Sequence, residues 1–188
     1  MMKLQTGMVA PHFEAEDVFG ERIDLRAYEG KFVLLSFLRN GGCALCNLRV
    51  HQLIKRYPEL YAHGLEMLAV FESPVASIKQ YVTSRQDVPF PIIVDPGAQL
   101  YDLYGVEVSQ EKAQASVARV GTPEIQQMIQ DAAAIGYELT HEDGANFHRM
   151  PADFLIGPDQ RIQRAFYSDL IGDHLSLAEI EEALSVRN

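Results

Sequence analysis

The stretch Lys31-Phe32-Val33-Leu34-Leu35-Ser36-Phe37-Leu38-Arg39-Asn40-Gly41-Gly42-Cys43-Ala44-Leu45-Cys46 decides the fold. Phe32 to Leu38 is an almost unbroken apolar run, and a strand of that pattern is covered on both faces, as at the centre of an α/β sheet. Arg39-Asn40-Gly41-Gly42 breaks the run and supplies a sharp turn. From Cys43 onward, Leu45, Leu48, Gln52 and Leu53 recur at roughly helical spacing, until Pro58 is expected to bend or restart the helix.

The two cysteines therefore sit where a buried strand hands over to a helix. The first turn of a helix carries unpaired N–H groups and the positive end of the macrodipole, and both favour a thiolate over a thiol. Cys43, the earlier and more exposed residue, is the expected nucleophile. Cys46, three positions on over the same face, is placed to attack a mixed disulfide or a sulfenic acid on Cys43. Arg39 and Arg49 are the neighbouring cations that could add positive potential.

Working outward, Phe13 to Leu25 reads as a small hairpin turning through Asp17-Val18-Phe19-Gly20-Glu21. Leu65 to Phe71 is the next buried strand. Ser73-Pro74 reads as an N-cap followed by proline at the first helical position, opening a helix through Tyr81. Phe90 to Asp95 is a further strand, and Ala98 to Tyr104 a short helix closed by Gly105. This alternation predicts a central parallel or mixed sheet with helices on both faces. Gln110 to Gly136 breaks the rhythm with Ala- and Gln-rich helical stretches around Gly121-Thr122-Pro123, followed by a polar segment from Glu138 to Asn146. The region of about 109–148 is read as an inserted helical segment. It would either cover the dithiol or mediate self-association as a homodimer. Ala152 to Ile156, the turn Gly157-Pro158-Asp159-Gln160, and Arg161 to Tyr167 form a second hairpin. Ser176-Leu177-Ala178-Glu179 matches a capping box before a last helix bearing Ile180, Ala183 and Leu184.

The length of 188 residues suits one domain, 1–188, and 47% apolar with 22% charged residues is ordinary for a globular protein. A net charge of −10 argues against a nucleic-acid or anionic-membrane partner, since both reward a basic surface. No apolar run near Met1 suits a signal peptide, and no stretch is long enough to span a membrane, so the expected compartment is cytoplasmic. In a reducing compartment, two cysteines three positions apart read as catalytic, redox-sensing or metal-binding.

With these motifs in order, the chain resembles the thioredoxin superfamily. Within it, the chain is most similar to the peroxiredoxin-like branch, the alkyl hydroperoxide reductase/thiol-specific antioxidant family, with a CxxC active site. Gly7-Met8-Val9-Ala10-Pro11-His12-Phe13 and Asp17-Val18-Phe19-Gly20 match that family's opening. Pro151-Ala152-Asp153-Phe154-Leu155-Ile156-Gly157-Pro158-Asp159 matches its later strand and turn. The resemblance covers roughly residues 6–108 and 149–185.

It implies an α/β thioredoxin-like fold: a central mixed sheet flanked by helices, an N-terminal β-hairpin and the inserted segment. It also implies thiol-based redox chemistry at Cys43 and Cys46 without an organic cofactor or metal. The oxidant would be a peroxide or a disulfide, and the reductant a thioredoxin-like protein or a low-molecular-weight thiol such as glutathione. Asn40, Gly42, Arg149, Met150, Pro151 and Asp153 are the positions expected to meet substrate. The resemblance further implies a cis bond at Met150-Pro151, packed against the dithiol.

Three positions depart from the family pattern. Ser36 and Asn40 stand where a peroxiredoxin has proline and threonine ahead of its reactive cysteine, and Pro151 stands where it has an arginine. Arg149 is the nearby candidate to replace that arginine. Asp153 falls on the same strand face as Pro151, from which its carboxylate could take a proton from Cys46.

Competing readings are a pair of buried small hydrophobes, a metal site, or a binding module that keeps the motif without turnover. With no third cysteine, and with His51 and His63 poorly spaced, a metal site is disfavoured. His141, His148 and His174, with Asp169 and Asp173, read as loop or surface residues.

Overall fold

The computed structural model of the chain describes residues 2–140 and 142–185. A small antiparallel hairpin comes first, β1 (Glu14–Glu16) paired with β2 (Arg22–Asp24). The main sheet then takes β3 (Phe32–Phe37), β4 (Leu65–Phe71), β5 (Ile92–Val94), β6 (Ala152–Ile156) and β7 (Ile162–Tyr167) in the order β5-β4-β3-β6-β7. β3, β4 and β5 run parallel, whereas β6 and β7 are antiparallel additions beyond β3. The apolar run thus occupies the middle of a mixed sheet, and every residue of β3 is buried.

Alternation along the strands divides the core. One face carries Leu34, Met67, Ala69, Phe71 and Leu155, covered by Val50, Leu53 and Leu60 of α1 (Ala44–Ala62) and Ile180 of α6 (Leu177–Ser185). The opposite face carries Val33, Leu35, Phe37, Val70 and Phe154, which meet Leu100 and Tyr101 of α3 (Gln99–Leu103), Tyr104, and the hairpin's Ile23. Phe37, Tyr101, Tyr104 and Phe154 pack there edge-on or tilted, with ring centroids 5.0–5.8 Å apart.

Two sequence expectations about helices change. α1 runs unbroken through Pro58, because Val50 and Leu53 before it and Leu60 after it are all buried on the sheet. Tertiary packing outweighs the single backbone hydrogen bond that proline removes. The helix expected from Pro74 to Tyr81 is instead a short α2 (Val75–Ile78) continued by one π-helical turn, Lys79–Thr83. Ser73 does not cap it, for its hydroxyl is used elsewhere. The capping box does form, with Glu179 N–H donating to Ser176 Oγ and Ser176 N–H donating to Glu179 Oε2.

Between α3 and β6 lie α4 (Gln110–Ala118) and α5 (Pro123–Ala134), on either side of Gly121-Thr122. Ala132 and Tyr137 pack on Ala44 and Leu48 of α1, so the inserted segment sits against the helix that bears the cysteines. Among the described residues no helix is long and apolar enough to cross a membrane.

Candidate active site

Cys43 is the N-cap of α1, with extended backbone, and its Sγ accepts the N–H of Cys46 at 3.3 Å. The two cysteines form a disulfide with their Cα atoms 5.2 Å apart. Asn47, one turn into the helix, ties the preceding turn down: its Nδ2 donates to the carbonyls of Gly41 (2.7 Å) and Cys43 (3.1 Å). Cys46 is 1% exposed and Cys43 9% exposed, so an incoming group meets Cys43 first.

Arg39 is the cation aimed at the sulfur, with Nη1 3.9 Å from Cys43 Sγ. Its Nε donates to the Arg149 carbonyl at 3.0 Å and its Nη2 to the Phe147 carbonyl at 2.6 Å. The guanidinium also lies 5.2 Å from the centre of the Phe147 ring. Burial lowers its pKa to about 10, against the opposing pull of the Glu72 charge, and leaves it cationic at neutral pH. Arg49 points elsewhere, with Nη2 donating to the Leu175 carbonyl and pairing with Asp153.

The Gly41-Gly42 turn is held by the insertion. Glu142 Oε2 accepts the Gly42 N–H at 2.9 Å, and Glu142 Oε1 accepts the Ser73 hydroxyl, which itself accepts the Gly41 N–H. Thr140 Oγ1 donates to the Gly42 carbonyl at 2.9 Å. A Cβ on Gly42 would stand 3.2 Å from Glu142 Cβ and 3.4 Å from Thr140 Oγ1, so any larger residue would crowd the contact with the insertion.

Asp153 lies on the α1 side of the sheet with no exposed surface. Ser36 Oγ donates to its Oδ1 at 2.5 Å, while Leu175 N–H (2.8 Å), His174 Nδ1 (3.1 Å) and Arg49 Nη2 (3.5 Å) all face its Oδ2. Burial pushes the carboxyl upward in pKa, but the His174 and Arg49 charges, with hydrogen bonds from His174 and Ser36, outweigh it and hold the group at about 2. A carboxylate so fully engaged is a poor base for a thiol, so the idea that it deprotonates Cys46 finds no geometric support.

The other expected positions divide. Asn40 lines a cleft beside Cys43, and Gly42 forms the turn that precedes it. Arg149 does not replace the missing arginine: its guanidinium is bound to Glu72 and the Val106 carbonyl and stacks 4.6 Å over Tyr101. Met150 is 1% exposed, with its N–H given to the Glu107 carbonyl. The Met150-Pro151 bond is trans, as is every described peptide bond, which corrects the expected cis-proline. The extended trans chain here gives Met150 N–H to Glu107 and receives Ser168 N–H at the Pro151 carbonyl. With both bonds made, trans keeps its intrinsic preference of about 0.5–1 kcal/mol.

His174 is also corrected from surface residue to a ring buried on Asp153. Asp169 is exposed and paired with Lys112, and Asp173 is also exposed, with partial desolvation raising its pKa. His63 is exposed, with its Nδ1 2.7 Å from the Glu59 carbonyl oxygen. His141 falls outside the described residues. One grouping of metal-ligand types occurs among the described residues, His12, Glu14 and Asp24 on the hairpin surface, where Arg22 and Arg26 already pair with the carboxylates. Glu142, Thr140 and Ser73 were not anticipated at the site. A carboxylate beside a polar run gives no sequence sign that it will be buried against a turn 100 residues upstream.

Comparison with known proteins agrees with this geometry. The family described as "AhpC/TSA family" matches residues 6–165. The Thiol-disulfide oxidoreductase ResA of Halalkalibacterium halodurans is 35% identical over 103 residues, covering 54% of this chain and 57% of that protein. The chain therefore spans little more than half the length of this curated relative. Among solved structures, a cysteine-to-serine mutant of Peroxiredoxin 6 of Arenicola marina superposes with a TM-score of 0.69 at 17% identity, covering 97% of this chain and 72% of that one. A protein described as a thiol:disulfide interchange protein DsbE, from Chlorobium tepidum, gives 0.63 at 18% identity, covering 98% and 97%. At these identities the structural likeness speaks for the fold, which is thioredoxin-like.

Proposed function

The chain belongs to the AhpC/TSA family, and from that premise we propose that it is a thiol-dependent oxidoreductase cycling Cys43 and Cys46 between dithiol and disulfide. The observation that carries this reading is the placement of Cys43 at the N-cap of α1, its Sγ facing the Cys46 N–H and the Arg39 guanidinium. Helix terminus and cation both stabilise a thiolate. In the reduced protein Cys43 attacks a disulfide sulfur and forms a mixed disulfide. Cys46 then attacks Cys43, closes the internal bond and expels the second thiol. An external thiol, either a thioredoxin-like protein or a low-molecular-weight one, restores the dithiol.

Disulfide exchange is favoured over peroxide reduction for a reason specific to this site. Ser36 occupies one of the departing positions, and its hydroxyl is turned into the core toward Asp153. Arg149, the nearest arginine to the position where the family has one, is committed to Glu72 and does not replace it. Donors that would stabilise a departing peroxide oxygen are thus diverted, and such electrostatic stabilisation is often the largest contribution to catalysis. Peroxide reduction is the second reading, supported by family membership and by Arg39. A reducing, cytoplasmic setting is part of the proposal, supported by the occurrence of only two cysteines, both in the CxxC.

The chain has no tryptophan, so the test follows free thiols by rapid trapping and mass spectrometry. Reduced protein is mixed with bis(2-hydroxyethyl) disulfide or with hydrogen peroxide, alongside Cys43→Ser and Cys46→Ser. Fast closure with that disulfide, and a trapped mixed disulfide on Cys43 in Cys46→Ser, is the expected result. Fast closure with peroxide alone, through a sulfenate in Cys46→Ser, would establish the second reading. Silence toward both would leave a binding module.

A further inference from the structure

We propose that the disulfide reduced at Cys43 is a small organic one with an apolar body, received in a cleft that the inserted segment builds over the nucleophile. This rests on the exchange reading above and names its substrate class.

The cleft has a volume of about 430 Å³, and Cys43 is in its lining together with Leu45 of α1, Val117 and Val120 of α4, Ile125 and Ile129 of α5, and Phe147. A space of that size suits a small molecule. Val117 is 54% exposed and Phe147 50% exposed, so apolar surface is presented to solvent beside the sulfur. An apolar body that covers it removes that surface from water, a gain proportional to the area covered.

The polar groups of the same wall are already committed. Glu142 is bound to Gly42 and Ser73, Thr140 to Gly42, and Arg39 to two carbonyls and the sulfur. An extended peptide from a protein substrate would bring backbone N–H and C=O groups into this cleft and find few partners for them. Asn40 is the exception, a lining amide whose side chain makes no hydrogen bond among the described residues, and it offers one point for orientation. The 9% exposure of Cys43 likewise disfavours a disulfide fixed on a folded surface.

The exchange balances as follows. The Cys43 thiolate bonds to one sulfur of R–S–S–R, whose S–S bond breaks and releases RS⁻, protonated by water. The Cys46 thiolate then bonds to Cys43 Sγ and expels the second RS⁻. Two electrons pass from the dithiol to the substrate, which leaves as two RSH.

The test uses the full chain, reduced and freed of reductant, in single-turnover thiol trapping. The substrates are di-n-propyl disulfide, bis(2-hydroxyethyl) disulfide, glutathione disulfide and insulin. Each rate is divided by that of dithiothreitol with the same disulfide, which removes differences in leaving-group chemistry. The expected result is a normalised preference of about tenfold for the propyl compound over the hydroxyethyl one. Val117→Asp with Val120→Asp, both at exposed positions, should collapse that preference to about twofold or less. Equal normalised rates, a faster reaction with insulin or glutathione disulfide, or closure driven faster by cumene hydroperoxide than by any disulfide, would each overturn the inference. A wild-type chain no faster than Cys43→Ser with every disulfide would instead overturn the exchange reading on which it rests.

Discussion

Arg39 Nη1 stands 3.9 Å from Cys43 Sγ, and the guanidinium is held there by the backbone carbonyls of Phe147 and Arg149. The cation four residues before the nucleophile is thus aimed by a segment more than 100 residues downstream. The later strand of this chain has a proline where the family places an arginine, and Arg39 brings positive charge to the sulfur from the opposite end of the chain.

Removing that charge should raise the Cys43 thiol pKa. A nearby opposite charge favours the ionised form, so Arg39→Gln is expected to shift it upward by about one unit, with Arg39→Lys intermediate. The check is the pH profile of iodoacetamide alkylation in reduced Cys46→Ser. An unchanged profile would show that the helix terminus alone sets the thiolate population.

Glu142→Ala should loosen the turn before Cys43. It deprives the Gly42 N–H and the Ser73 hydroxyl of a buried acceptor, which costs about 1–3 kcal/mol. Urea unfolding measures the loss, and Glu142→Gln should recover part of it because an amide oxygen can still accept one of the two bonds. If the site needs this turn, dithiol closure slows in the same order.

Asp153 makes stability depend on pH in a defined window. Its folded pKa of about 2 lies below the unfolded value near 3.8, so in that interval the unfolded chain binds more protons. The carboxylate's contribution, about 2 kcal/mol, is therefore complete above roughly pH 5 and is lost as the pH falls through the folded value. Asp153→Asn should be less stable than the parent at pH 7 and approach it near pH 2. A constant difference in urea midpoint across that range would refute the assignment.

Gly172→Ala probes the floor of the α1–α5 contact. Gly172 has φ of +88°, and an added Cβ would stand 2.9 Å from Leu45 Cδ1 and 3.2 Å from Met128 Cε. The left-handed backbone costs a non-glycine residue about 1–2 kcal/mol, and the flexible side-chain ends can yield to the rest. A lower thermal midpoint with an intact Cys43–Cys46 closure rate is expected.

The sequence by itself was enough for the sheet's central strand, the hairpins, the order of elements and the placement of the cysteines at a helix start. Each is a local signal: Phe32–Leu38 is apolar on both faces, Gly41-Gly42 breaks the strand, and Ser176 and Glu179 cap within four residues. Tertiary structure alone decided that Pro58 stays inside α1, that Met150-Pro151 is trans, that Ser73 serves Glu142 instead of a helix, and that Arg39 faces the sulfur while Arg149 does not. It also turned His174 from a loop residue into a partner of Asp153. Pro58 is kept in α1 by apolar packing on the sheet, and the outcomes for Ser73, Arg39, Arg149 and His174 share one other physical cause. A buried polar group takes whichever partner the fold brings within hydrogen-bond reach, and those partners lie 21 to 117 residues away along the chain, where no local pattern records them.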